Sequence, residues 1–118
     1  MFTHPALLRQ LTLTADHLRR GGEGAWARRV VQTADALRKL GWTDLARQRF
    51  MDLYDEEPRF DSVSFGAEHE RKLGGPLGVT EANIRLSDLR VKLKELATHP
   101  TQKEPDPDLV RARSPDLA

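Results

Sequence analysis

Apolar positions recur three and four residues apart along most of this chain, the spacing of one face of an α-helix. Leu8, Leu11, Ala15 and Leu18 draw the first stripe, and Pro5 suits a first helical turn, so helix 1 is predicted over about 5–20. Gly21-Gly22 stops it, with Arg19 and Arg20 beside the negative end of its dipole. Trp26, Val30, Thr33, Ala34, Leu37 and Leu40 make the inner face of helix 2, about 24–40. Gly41 ends it, and a left-handed glycine there would set Trp42 against Leu37. The short linker "GGEG" makes the two an antiparallel hairpin.

Thr43 is the expected N-cap of helix 3, about 44–56, with Ala46, Phe50, Leu53 and Tyr54 inward and Pro58 closing it. "RFDSVSF" then carries apolar residues on both sides and predicts an extended segment across the bundle, with Phe60, Val63 and Phe65 pinning helix 3 to helix 4. Residues 66–78 read as a loop broken by Gly74, Gly75, Pro76 and Gly78. Helix 4, about 80–98, opens at Thr80 with Leu86, Leu89, Leu93 and Leu96 as its seam, widened by Ala82 and Ile84. Periodicity ends at His99, and four of the seven prolines follow, so 99–118 is expected to be a flexible tail. The fold class expected is all-α: a four-helix bundle with an extended segment and loop between helices 3 and 4, forming one domain over 1–98.

Composition narrows the chemistry more than it names it. With 118 residues, 38% hydrophobic and 31% charged, the chain supports one modest core, which favours surface recognition over a deep active site. It has no cysteine, so disulfides, thiolate nucleophiles and Cys-ligated zinc are excluded. The N-terminus lacks the basic and apolar regions of a secretory signal, and no run approaches the ~18 apolar residues of a membrane span, which points to the cytoplasm.

Net charge is only +1, yet residues 1–50 hold nine Lys/Arg against four Asp/Glu, and 51–118 hold ten against fourteen. The acidic pole is Asp52, Asp55, Glu56, Glu57, Asp61, Glu68 and Glu70 against Arg59 alone. Four of these acids lie at the C-terminal end of helix 3, where the dipole disfavours exposed negative charge by roughly 0.3–1 kcal/mol each. Neutralisation by Arg49, Arg59 and neighbouring basic helices is the plain reading. An acidic docking surface for a basic partner is the functional one.

Reaction motifs are few. His4, His17, His69 and His99 never form a metal-binding pair, although His69 between Glu68 and Glu70 has the residue types of a metal site; a solvated loop is the simpler reading. Asp61, Ser62, Ser64 and His69 supply triad types without a nucleophile elbow. "GGPLGVT" lacks the Lys-Ser/Thr ending of a phosphate loop and reads as turn and N-cap. Arg28, Arg29, Arg38, Lys39, Arg47 and Arg49 form a candidate nucleic-acid face, or a solvated one, since no aromatic residues interleave with them.

The hairpin carrying Trp26, the Phe60-Asp61-Ser62-Val63 segment and the pattern Asn83-x-Arg85-Leu86-x-x-Leu89-Arg90 together resemble a poorly characterised family of small bacterial helical proteins. Members of that family look like cytoplasmic immunity partners of polymorphic toxins. The resemblance spans about 5–98, departs at Glu57-Pro58-Arg59 where glycines are expected, and implies no catalytic residues. The function expected is a non-enzymatic protein-binding module without cofactor or metal, with neutralisation of a basic toxin as the case the resemblance implies. A nucleic-acid-associated regulator using the arginine face is the alternative, and oligomeric state is open.

Overall fold

A computed structural model of the chain describes residues 3–57 and 59–98; the tail expected over 99–118 lies outside them. The described residues are helical without strands: α1 (Pro5–Gly21), α2 (Gly24–Leu40), α3 (Asp44–Asp55), α4 (Glu70–Leu73) and α5 (Pro76–Thr98), with single 3-10 turns at Phe60–Ser62 and Ala67–His69. The all-α expectation holds. The count of four does not, because a short helix occupies part of the predicted loop.

α1 and α2 form the expected hairpin. Gly22 takes φ 100° and its N–H returns to the Arg19 carbonyl, while the Glu23 N–H closes the turn on the Leu18 carbonyl at 2.8 Å. That double closure satisfies the helix's last carbonyls and is open to glycine because a Cβ disfavours the left-handed region. Leu7, Leu11, Ala15 and Leu18 are buried; Leu7, absent from the predicted stripe, goes in deeper than Leu8. All six residues predicted for the inner face of α2 point inward, with Leu40 only partly covered.

α1 also runs antiparallel along α5, joined by three side chains to backbone carbonyls one heptad apart. His4 Nε2 donates to the Leu96 carbonyl at 2.7 Å, Gln10 Nε2 to Leu89 at 3.4 Å and His17 Nε2 to Ala82 at 2.9 Å. The Nδ1 of His4 accepts from the Leu7 N–H, so this histidine caps α1 as well. Two of the four histidines are thereby structural.

Thr43 caps α3 by accepting from the Ala46 N–H, and Ala46, Phe50, Leu53 and Tyr54 are buried as predicted. Gly41 has positive φ, but its ψ of −169° is far from left-handed helix, and Trp42 turns against His4 and Phe50. The segment after α3 begins as a 3-10 turn at Phe60, so only from Val63 is it extended as expected. Phe60 packs on Trp26 and Tyr54, and Phe65 between His17 and His69. The backbone of this segment is held by α5: Arg90 donates to the carbonyls of Phe60 and Val63 at 3.0 and 2.6 Å. Asn83 accepts from the Phe65 N–H and donates to its carbonyl at 2.7 and 3.0 Å. Each bond satisfies main-chain polarity that an irregular segment cannot satisfy within itself.

Prediction and structure part most widely between residues 66 and 80. Gly74 and Gly75, with φ of 84° and 94°, do break the chain, but Pro76 starts α5 rather than delaying it, as suits a residue with no N–H to leave orphaned. Gly78 lies inside the helix. A Cβ there would stand 1.6 Å from the Leu73 carbonyl oxygen, so the glycine serves the close approach of α4 and α5, not a turn. Thr80 sits in the first turns, its hydroxyl donating to the Pro76 carbonyl, and is no N-cap.

Candidate functional site

α5 is apolar on two sides. Inward lie Ala82, Leu86, Leu89 and Leu93, all buried, with Leu96 partly covered. On the opposite side Leu77, Ile84 and Val91 are 80%, 59% and 58% exposed. Ile84, predicted to widen the inner seam, is thus on the outer face: at 100° per residue it falls about 160° from Leu86. The three outer residues are seven apart, so they align along some 21 Å of helix with the slight drift of a heptad on a straight helix.

Beside this stripe runs a second heptad row, Glu81, Asp88 and Glu95, all exposed. The other flank carries Thr80, Ser87 and Lys94, and Lys94 is bound to Asp61 at 3.3 Å. Arg85 and Lys92 follow the acidic row by four residues, yet among the described residues no ion pair joins the row to them. The outer side of α5 is thus an exposed apolar line with one acidic border.

The seven acids expected to form the partner surface are divided. Asp52 accepts from Gln48 and, with Glu56, lines a polar groove between α2 and α3 that also holds Arg29 and Arg49. Glu57 pairs with Arg59 at 3.2 Å and Asp61 with Lys94, both at the surface where such pairs contribute little. Asp55 is exposed at the helix end. Glu68 and Glu70 lie beyond the Phe60–Phe65 segment, in the second 3-10 turn and at the start of α4.

His69 is buried and fully used. Its Nδ1 accepts from the Gly66 N–H at 2.9 Å, which fixes the proton on Nε2, and Nε2 meets the Glu23 carboxylate at 2.6 Å. Glu23 is the residue after the α1 turn, so this pair clamps the α1–α2 corner to the second 3-10 turn. Glu68 reaches Nδ1 only at 3.5 Å. The sequence placed carboxylates on either side of His69, but its close partner comes from 46 residues earlier in the chain. Ser62 donates to the Arg59 carbonyl, so the triad residue types do not converge. Among the described residues no group of three His, Asp or Glu side chains is arranged to hold a metal ion.

Three of the six members of the arginine face make defined contacts. Arg29 stacks over Trp26 at 4.2 Å, Arg38 pairs with Asp35 at 2.7 Å, and Arg47 lies over Trp42 and pairs with Asp44 at 3.7 Å. Arg28, Lys39 and Arg49 are exposed. Among the described residues no helix is long and apolar enough to cross a membrane.

A feature that sequence reading missed lies between α3 and the end of α5. Trp42, Phe50, Met51 and Tyr54 line an apolar cleft of about 220 Å³, closed by Ala97 and Thr98 and bordered by Arg47 and Lys94. Burial, with the Asp61 charge second, pushes the Tyr54 hydroxyl far above its ordinary value, so it stays protonated. Burial lowers Arg90 from its ordinary value, with Tyr54 and Asp61 opposing that shift. The sequence signal was available in the clustering of Trp42, Phe50 and Tyr54, but those residues read equally well as core.

Comparison with known proteins adds no family: no family model, curated protein or solved structure matches the chain.

Proposed function

We propose that this chain is a non-enzymatic protein-binding module whose outer α5 face receives an amphipathic helix with basic residues beside its apolar stripe. The observation that carries the reading is the exposed line of Leu77, Ile84 and Val91 bordered by Glu81, Asp88 and Glu95. A helix needs only one apolar side to join its own core, and α5 has that side in Leu86, Leu89 and Leu93. The second one is left for something else.

A second copy of the chain fits this face less well. Two-fold symmetry in an antiparallel pair would bring the acidic row against itself, with Asp88 of each copy level with Glu81 of the other when Ile84 lies on the axis. Parallel pairing would offer it Thr80, Ser87 and a lysine already bound to Asp61. A basic partner meets no such opposition, and the acidic stretch from Asp52 to Glu70, with Asp55 and Glu56 exposed, adds attraction over a distance. A basic toxin neutralised in the cytoplasm is the partner class this reading shares with the immunity-protein resemblance. The nucleic-acid alternative is disfavoured by the engagement of Arg29, Arg38 and Arg47 with neighbouring groups.

The test uses two synthetic helical peptides with the same leucine stripe, one flanked by lysine and one by glutamate, titrated by fluorescence anisotropy across a salt series. The account expects the lysine peptide alone to bind, with affinity falling as salt rises and lost in Ile84→Asp. Equal binding of both peptides, or dimerisation of the chain abolished by Ile84→Asp, would overturn it.

A further inference from the structure

The second 3-10 turn holds a buried titratable ring whose two nitrogens are tied to different parts of the fold. His69 is 6% exposed, and its Nε2 donates to the Glu23 carboxylate at the α1–α2 corner at 2.6 Å. Its Nδ1 accepts from the Gly66 N–H at 2.9 Å, which requires that nitrogen to carry no proton. Glu68 stands 3.5 Å from the same Nδ1, on a side chain that is 73% exposed. Nδ1 therefore faces a donor and a carboxylate together, and each suits a different charge state of the ring. The carboxylate has its place there because residue 66 is glycine: a Cβ on Gly66 would stand 2.8 Å from Glu68 Oε2.

Other charged and titratable groups surround this corner. Lys72 of α4 lays its stem against Gly22 beside the ring edge, and His17 of α1 stands beyond Phe65 with its Nε2 on the Ala82 carbonyl. Arg19 and Arg20 at the end of α1 are paired with Asp16, and α5 reaches the corner through Asn83, which is neutral. Among the described residues, no hydrogen bond or ion pair joins any of these to Nδ1, which leaves Gly66 and Glu68 as its two partners.

From this arrangement we infer that His69 is a proton-operated latch: the neutral ring holds the Gly66 N–H, and the protonated ring releases it and takes the Glu68 carboxylate instead. A proton taken from solvent at Nδ1 turns that nitrogen from acceptor to donor, and two N–H groups facing each other make no bond, so the Gly66 contact opens. The new N–H meets a carboxylate alongside. Closing from 3.5 Å to the ~2.7–2.9 Å of a charge-assisted bond asks little of an exposed side chain. Nε2 keeps its proton and Glu23 in both states, so the ring stays seated. Asn83 holds both main-chain groups of Phe65 independently, which confines the change to Gly66–Glu68. Gly66 is half-buried, so its freed N–H turns to water. The result is a surface turn anchored through its backbone at high pH and through a side chain at low pH. This device is separate from the partner face proposed for α5 and stands or falls without it.

The test follows the full chain by NMR from about pH 8 to about pH 5, the span over which histidine side chains ordinarily change charge. Expected are ring-nitrogen shifts of His69 that show a bare Nδ1 at the upper limit and two N–H nitrogens at the lower. The Gly66 amide proton should move upfield with the same midpoint, while the Phe65 amide stays in place. Glu68→Gln, a change at an exposed side chain, should move that midpoint to lower pH, because it removes the charge that receives the new N–H. Glu70→Gln removes an equal charge that makes no bond to Nδ1, and should move it less. A Gly66 amide that stays fixed while His69 takes up its proton would overturn the inference, as would a ring that remains neutral to the lower limit. Phe65 and Gly66 shifting together would also overturn it, since that reads the whole segment opening. Equal midpoint shifts in the two variants would do the same, since they read general charge and not a bond to Glu68.

Discussion

The two faces of α5 are built from the same residue types and differ in what covers them. Leu86, Leu89 and Leu93 are covered by α1 and the rest of the core, while Leu77, Ile84 and Val91 on the other side stand in solvent. Apolar side chains at helical spacing therefore do not by themselves say that the chain's own core covers a face. Substitutions separate the two faces, because a covered face loses stability when changed and an exposed one keeps it.

The largest contrast is in the leucines. Leu86→Ala and Leu93→Ala should each cost about 2–5 kcal/mol in denaturant unfolding, since both are fully buried, whereas Ile84→Ala should change stability by about 0.5 kcal/mol or less. A cost at Ile84 matching that at Leu86 would erase the distinction between the faces. Next comes Gly78→Ala, whose Cβ meets the Leu73 carbonyl and forces backbone to move, at about 1–3 kcal/mol. Asn83→Ala should cost about 1–3 kcal/mol, leaving both main-chain groups of Phe65 without their partner, and thermal unfolding of the variant reads it.

Tyr54 gives a pH-dependent measure of the covered side. Its folded value is raised by burial, so the stability it contributes is complete below about pH 10, the ordinary tyrosine value, and declines as pH rises past it. As the chain has a single tyrosine, ultraviolet absorbance should show phenolate appearing together with unfolding rather than before it. Titration of Tyr54 near pH 10 in the intact fold would show that α3 is not closed as described.

The helices α1, α2 and α3 were legible almost to the residue, because each has local punctuation: Pro5 and Gly22, Gly41, Thr43 and Pro58. The start of α5 was not. Gly78 has the same identity as the turn glycines, and what distinguishes it is the Leu73 carbonyl packed against it, a contact that no local pattern encodes. Ile84 was misplaced because two apolar rows on one helix read as one broad face. Of the candidate sites, the acidic stretch was visible in composition, but its division by the Phe60–Phe65 segment was not. The His69–Glu23 clamp joins residues 46 apart, so proximity along the chain could not reveal it, whereas Trp42, Phe50 and Tyr54 of the cleft cluster in sequence but read equally well as core.

Partner recognition by the outer face of α5 is tested most directly by mapping where the lysine-flanked amphipathic peptide sits, through amide NMR shifts of the full chain at low salt. The account predicts that the largest changes cluster on 77–95, on the turns bearing Leu77, Ile84 and Val91, and vanish in Ile84→Asp while the fold's other resonances stay in place. Changes centred instead on Arg28 to Arg49 or the end of α3, or none at all, would contradict it.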